Sequence, residues 1–496
     1  MSAGPQVKHI LLIVVDALRR DRVGALGSSA DLTPNIDRLA DEGTIFERAF
    51  STCNATDPAV TSLHTGRFPR TTVYHHGKFV TDVEKERVEA TTPLPVRLRD
   101  ADVDTVATGR PMGRWHRRGF RVYPTVREQT DNSRFPSPKH ILQVSPQLCR
   151  LGQRLYDKYD NALSSGNDPA QSPSYESLYQ NYDTGDDPVA VFNKVVRPEP
   201  TYSFVHLMDT HTPYLPHPST VAERLRESTY ERSELSLSGH ERSLVKPSRE
   251  DYEYGTGRII ARYDAAVIEA DQTVGRLLNL LEQRGIRDKT TVIVTSDHGE
   301  SLTEHGIICD HHGLYDQSIH VPLVVDVPGT NGGAVDEFVQ LTDLTPTILQ
   351  LYELEPPAGI HGRSLLTLLD DDESWQPRDF VVAEEAHTQR KVAIRTADHK
   401  YIEHEADSIL KRRRGNSLEC AYCGEVHGAE HELYNLHEDP EECRNIVDKE
   451  SVIAERLHDR LQGFLSGLTA PTATASPAKY DDEEVVMKRL EELGYR

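Results

Sequence analysis

Apolar positions along the chain fall into two alternating patterns. Residues 9–15 are a short unbroken run of Ile, Leu and Val, the pattern of a strand buried on both faces of a parallel sheet. Runs at 105–108, 202–208, 290–295 and 321–325 predict further strands, and 44–50 alternates like one. Between them apolar residues recur at helical spacing. The clearest stripe predicts a helix over 258–284, with Ile259, Tyr263, Val267, Val274, Leu278 and Leu281 on one face and Gly285 as its stop. Shorter helices are predicted at 33–43 and 92–101. This alternation predicts an α/β fold with a mostly parallel sheet flanked by helices.

The pattern changes near residue 389. Short strands at 391–395 and 399–402 and a helix near 450–466 predict a smaller C-terminal antiparallel sheet plus helix. The expected organisation is a main domain at 1–388, a small α+β subdomain at 389–470, and a linker with a charged terminal helix at 471–496. Two irregular stretches interrupt the main domain. Residues 121–200, rich in Pro, Ser, Asp and Asn, are expected to cover a site, and 217–256 reads as a charged, solvated excursion.

Composition narrows the function. A formal charge of −23, from 79 acidic against 56 basic residues, repels nucleic acid and anionic membrane surfaces. No apolar run is long enough to span a bilayer, and the first one leads straight into Asp16, so no membrane span or secretory signal is read and a cytoplasmic protein is expected. Six cysteines in 496 residues do not make a disulfide framework. The acidity, with Arg well ahead of Lys, points to a salt-rich, halophilic source.

Polar residues cluster where the strands end. Asp16 follows 9–15, His211 follows 202–208, and Asp297-His298 follow 290–295, at the carboxyl ends where open α/β sheets bind ligands. Thr56 lies at a strand-to-helix turn. Thr56 or Asp57 is expected as the N-cap with Pro58 in the first turn, an end that favours an anion. Two carboxylates, an imidazole and an alcohol oxygen make a divalent metal site, with Asp16, Asp297 and His298 as fixed ligands and Thr56 as an exchangeable one. The ion is one of Mn, Zn, Mg, Ca or Fe, and the mixed donors suit an all-oxygen calcium cage least.

A metal answers a specific need. Coordination lowers the pKa of bound water from about 15.7 to about 7, roughly 12 kcal/mol, whereas a helix dipole contributes about 0.3–2 kcal/mol. Thr56 then becomes a nucleophile able to form a phosphoryl or sulfuryl ester that water releases. His311 is a candidate proton donor, and Arg110 and His312 are candidate substrate contacts. Cys420-Ala421-Tyr422-Cys423, followed by His427 and His431, is a candidate structural zinc site.

Val15-Asp16, Thr33-Pro34-Asn35-Ile36-Asp37, Leu63-His64-Thr65-Gly66-Arg67, Asp209-Thr210-His211-Thr212-Pro213-Tyr214, Ser296-Asp297-His298-Gly299-Glu300 and Asp343-Leu344-Thr345-Pro346-Thr347 occur in this order. On these motifs the chain resembles the sulfatase family of the alkaline phosphatase superfamily. The resemblance implies an alkaline-phosphatase-like fold, metal ligation by Asp16, Asp297 and His298, a nucleophile at Thr56, and a role for His211 at the transferred group or leaving oxygen. Three departures stand out. Family sulfatases carry Cys or Ser at the nucleophile, with Arg four residues on, and convert it to formylglycine; here the positions are Thr56 and Val60, and Cys53 is out of register. Ala17 replaces the second of the paired N-terminal aspartates, and the Lys-Trp-His element is reduced to Arg110-Pro111-Met112.

A threonine nucleophile with a leaner metal site resembles the branches that transfer phosphoryl groups: phosphodiesterases, phosphonate monoester hydrolases and phosphoglycerol transferases. The expected activity is metal-dependent hydrolysis of small-molecule or glycan sulfate or phosphate esters. The alternatives are a phosphotransferase acting on glycerol phosphate or a glycan, and an anion-binding homologue without turnover.

Overall fold

The computed structural model describes residues 8–470 apart from 77–79, 110–113, 125–171, 182–185, 229, 231–233, 370–373, 386–388, 406–419 and 421–425. Strands β1 (His9–Val15), β2 (Thr44–Phe50), β3 (Asp104–Gly109), β4 (Thr201–Leu207), β5 (Thr290–Thr295), β6 (Leu323–Asp326) and β7 (Gly333–Gln340) form one sheet in the order β3-β4-β1-β5-β6-β2-β7. β1 pairs in parallel with β4 and β5, as β3 does with β4 and β2 with β7. Only β6 runs against its neighbours. The mixed, mostly parallel α/β sheet is therefore present.

The unbroken apolar run of β1 follows from its central position. Leu11, Ile13 and Val15 face a core shared with Val267, Val274 and Leu277 of the Thr256–Gln283 helix. Ile10, Leu12 and Val14 face the opposite core, with Val60 and Leu63, and Leu344 and Ile348 from Leu344–Leu351. Helices α1 (Pro34–Glu42) and α2 (Thr56–Thr65) flank the sheet on these two sides. The start of α1 is held by Asp271 of the long helix, whose Oδ1 accepts from the Asn35 and Ile36 amides at 3.1 and 2.8 Å.

A second, antiparallel sheet comprises β8 (Phe380–Glu385), β9 (Lys391–Thr396), β10 (His399–His404) and β11 (His431–Asn435), in the order β11-β10-β9-β8. It starts at Phe380, ahead of the expected boundary at 389, because β8 pairs along its length with β9. Leu457, Leu461 and Leu465 of the Ser451–Gly467 helix cover one face through Val392, Ile394 and Leu433. The small sheet also braces the turn into α2, since the Glu384 amide donates to the Thr52 carbonyl at 2.9 Å.

The 217–256 stretch differs from expectation. It folds into helices Pro218–Glu227, Gly239–Val245 and Arg249–Tyr254, the last two started by capping boxes at Ser238/Glu241 and Ser248/Asp251. Arg262 of the long helix meets Asp251 at 2.7 Å with both side chains fully buried, so the charges serve packing rather than solvation. Most of the expected cover at 121–200, and all of 471–496, lies outside the described residues. Among the described residues no helix is long and apolar enough to cross a membrane.

Candidate active site and metal centre

The carboxyl ends of neighbouring strands deliver the site. Asp16 leaves β1, Asp297 and His298 leave β5, and Thr56 opens α2 beyond β2. Asp16, Asp297 and His298 are wholly buried, and one ligand atom from each lies within 4.8 Å of the others. Thr56 Oγ1 is 3.2 Å from Asp16 Oδ2 and 3.3 Å from His298 Nε2. The structure thus brings these four residues together. One local detail differs: Ala55 is the N-cap and Thr56 the first helical residue. Its hydroxyl is thereby released from capping and faces the carboxylate and imidazole.

Local backbone aims each donor. The Nδ1 of His298 is 2.8 Å from the Gly299 carbonyl, which only accepts, so Nδ1 carries the proton and Nε2 turns its lone pair to Thr56 and Asp297. Gly299 is required by close approach, because a Cβ there would lie 1.9 Å from the Gln317 carbonyl oxygen. Ala17 sits in the left-handed region at φ 58°, and its amide donates to Asp297 Oδ1 at 3.2 Å. A backbone N–H therefore stands where the family pattern has a second aspartate, and it holds Asp297 rather than a metal.

The donor set fits a divalent cation. Asp16 Oδ1 and Asp297 Oδ2 are buried carboxylate oxygens that accept no hydrogen bond among the described residues. Burial, and then the charge of Asp16, pushes the Asp297 carboxyl up. Burial works the same way on Asp16, but the neighbouring histidines His211, His206 and His298 together hold it below the carboxylate range. Two carboxylates with unfilled lone pairs beside an unprotonated imidazole nitrogen suit such an ion.

Further side chains ring this centre. His206 within β4 puts Nε2 3.2 Å from Asp16 Oδ2. Half-buried His211 follows β4, its Nδ1 2.5 Å from the Thr212 carbonyl. The His311 ring lies 4.5 Å from that of His298, and burial above all pushes its pKa well below the histidine range. Asp57 is bracketed by His76 Nδ1 at 3.0 Å and His116 Nε2 at 3.1 Å.

His76, His116 and His206 are absent from the sequence-based site. Only His116 had a signal: Arg114-Trp115-His116 holds the Trp-His pair sought at 110–112, and Trp115 Nε1 donates to Thr61 of α2 at 3.2 Å. His206 is hidden inside a buried strand run. Arg110 lies outside the described residues.

His312 departs from its expected role as a substrate contact. It is 2% exposed, its ring faces His427 at 4.5 Å, and its Nε2 lies 3.1 Å from Cys420 Sγ. Of the expected zinc set, Cys420 and His427 come together, while Cys423 lies outside the described residues. His431 does not join them. It is exposed on β11, with Nδ1 2.9 Å from the Tyr401 hydroxyl, because strand pairing fixes its direction. Cys53 is wholly buried against Ala55 and Ala59, and burial pushes its thiol pKa up, as expected of a packing residue.

Residues 8–354 match the family described as Sulfatase, and 303–410 match N-sulphoglucosamine sulphohydrolase, C-terminal. An N-acetylglucosamine-6-O-sulfatase from Bacteroides thetaiotaomicron is 23% identical over 89% of this chain and 83% of its own. A phosphonate monoester hydrolase from Silicibacter pomeroyi shares the fold at a TM-score of 0.66, with 17% identity over 94% of this chain and 97% of its own. So does a protein solved in complex with its substrate D-glucosamine-2-N,6-O-disulfate, at a TM-score of 0.61 and 18% identity over 93% and 98%. With an α/β sheet of alkaline-phosphatase-like architecture and a family match across most of its length, the chain belongs to the sulfatase family of sulfuric ester hydrolases, in the alkaline phosphatase superfamily.

Proposed function

We propose that Thr56 is the nucleophile of a metal-dependent hydrolase acting on sulfate or phosphate esters, phosphonate monoesters included. The observation that carries this is its hydroxyl, 3.2 Å from Asp16 and 3.3 Å from His298 at the start of α2. Asp16, Asp297 and His298 would hold one divalent ion, with Thr56 as a further donor. Such an ion supplies the positive charge that acidifies an alcohol and balances the ester oxygens.

In this reading the Thr56 hydroxyl donates towards Asp16, and Oγ1 attacks sulfur or phosphorus as the bond to the leaving oxygen breaks. Half-buried His211 gives that oxygen a proton. Water then attacks the Thr56 ester and passes a proton to the same imidazole, and the departing Oγ1 regains its own. Neutral His311 donates a hydrogen bond to an ester oxygen. The sulfated sugars named for two relatives support a sulfated glycan as substrate. The threonine favours phosphoryl transfer, because a formylglycine sulfate can eliminate and a threonine sulfate has no such route. The likeness to a phosphonate monoester hydrolase supports this second preference.

The test is an assay of metal-loaded wild type and Thr56→Ala on aryl sulfate, phosphodiester and phosphonate monoester panels. Turnover by wild type on at least one panel, lost in the variant, is expected. Equal rates for the two proteins overturn the nucleophile, and silence of the wild type on every panel with every divalent ion overturns the hydrolase.

A further inference from the structure

We propose that His312, Cys420 and His427 form a second metal site, of zinc type, beside the Thr56 centre. Its ligand atoms lie within 4.8 Å of one another, although His312 and Cys420 are 108 residues apart. The three come from two loops. His312 lies between β5 and β6, whereas Cys420 and His427 lie between β10 and β11. One thiolate and two imidazoles are the soft and borderline donors that zinc takes in tetrahedral sites, with the fourth position left to water or another donor.

The hydrogen bonds around the trio separate ligands from supports. Asp310 Oδ2 is 3.2 Å from His312 Nδ1 and 3.0 Å from His240 Nε2. A carboxylate accepts, so Nδ1 of His312 carries the proton and its Nε2 lone pair points at Cys420 Sγ, 3.1 Å away. This is the carboxylate–histidine–metal arrangement in which an outer carboxylate fixes the tautomer and orientation of a ligating ring. Asp310 and His240 are thus supports. His427 is placed from β9 and its approach: its carbonyl accepts from Lys391 Nζ at 2.8 Å and its amide donates to Gln389 Oε1 at 3.2 Å.

The same contacts resemble a Cys-His-Asp nucleophile, but burial argues against that use. Cys420 is 0% exposed, and the His427 ring stacks on His312 at 4.5 Å. A buried thiol within ligand distance of two imidazoles is suited to an ion.

The site reaches the first centre through one peptide bond. Asn54 Nδ2 donates to the carbonyls of His311 and Gly313, at 2.5 and 2.8 Å, gripping the chain on both sides of His312. An ion on His312 therefore fixes the loop that presents His311 to His298. This positioning role rests on the proposed function; the ligand set does not.

Cobalt tests the site. The full-length chain loaded with Co²⁺ is expected to show a near-ultraviolet thiolate-to-cobalt band that Asp297→Asn keeps and Cys420→Ser loses, with about one equivalent of metal lost in each variant. A wild type without the band, or a Cys420→Ser protein that retains it, overturns the site. X-ray absorption of the zinc-loaded wild type needs no variant: sulfur at about 2.3 Å is expected, and a shell of nitrogen and oxygen alone overturns the proposal even if Cys420→Ser does not fold. Failure of the Thr56 reading registers separately, as unchanged turnover in Thr56→Ala with the cobalt band intact.

Discussion

Two polar clusters lie on either side of the Asp310–Gly313 loop, and they are built by opposite means. The Thr56 centre hangs from the ends of adjacent parallel strands, and its donors are two carboxylates, an imidazole and an alcohol. The Cys420 cluster hangs from loops, and its donors are a thiol and two imidazoles. Strand ends fix positions through a sheet buried on both faces, so the fold itself positions the first centre. Loops lack such a frame, and the second cluster is placed by hydrogen bonds to its loops, with Asn54 beside His312 and with Lys391 and Gln389 at His427. The comparison teaches that hard donors on a stiff frame suit chemistry, whereas soft donors on loops suit tethering.

The largest expected effect is at Thr56. Thr56→Ala is expected to lower kcat by about 10³-fold or more on whichever ester the enzyme turns over, because it removes the attacking atom itself. Thr56→Ser keeps the oxygen and is expected to retain most of that rate. Steady-state kinetics on the same panel reads both. A Ser variant as inactive as Ala would move the role of Thr56 from attack to packing.

Next in size is Asp297→Asn. Its Oδ2 accepts no hydrogen bond among the described residues, so the change removes a buried negative charge that a cation would answer. Activity is expected to fall about 10²–10³-fold and to recover in part at high metal concentration. The thermal midpoint of the metal-free protein should rise, since two buried carboxylates no longer repel. A metal titration and a melt in chelator measure these opposite signs.

The first centre was legible in sequence and the second only half so, for one physical reason. A strand buried on both faces shows as an unbroken apolar run, so the polar residue that ends it, Asp16 or Asp297, announces itself. His206 sits inside such a run and looks like an exception rather than a ligand-facing residue. His312 and Cys420 meet across 108 residues, and no local period records that meeting. Local Cys-x-x-Cys logic reached Cys420 and His427 but chose His431, which β pairing with Glu403 turns outward. The 217–256 helices were obscured by charge, because Arg262 and Asp251 are buried as a pair.

A smaller effect sharpens the tethering half. Asp310→Asn keeps the shape of the support but weakens its pull on the His312 Nδ1 proton. Zinc affinity at the second site is expected to fall about 10–100-fold, read by chelator competition, with cobalt at the Thr56 centre unaffected. If affinity is unchanged, Asp310 is not an outer support of a ligand.

The smallest effect concerns the loop that carries His76 to Asp57. Glu84 gathers it, its Oε1 accepting from the Tyr74 and His75 amides at 2.7 and 2.8 Å while its Oε2 takes the Thr81 amide at 2.7 Å. Burial alone would raise its carboxyl, but the bonds from His75 and Thr81 win and lower it to about 2. A lowered carboxyl stabilises the fold above its unfolded value, near 4.5, and that contribution is lost as pH falls towards about 2. Glu84→Gln should therefore cost roughly 1–3 kcal/mol at neutral pH and lower the thermal midpoint by about one to three degrees. The gap between wild type and variant should close as pH drops through that window. Because His76 meets Asp57, the residue next to Thr56, kcat should fall only about two- to five-fold. A gap that persists below pH 2 would mean that the bonds of Glu84, and not its charge, hold the loop.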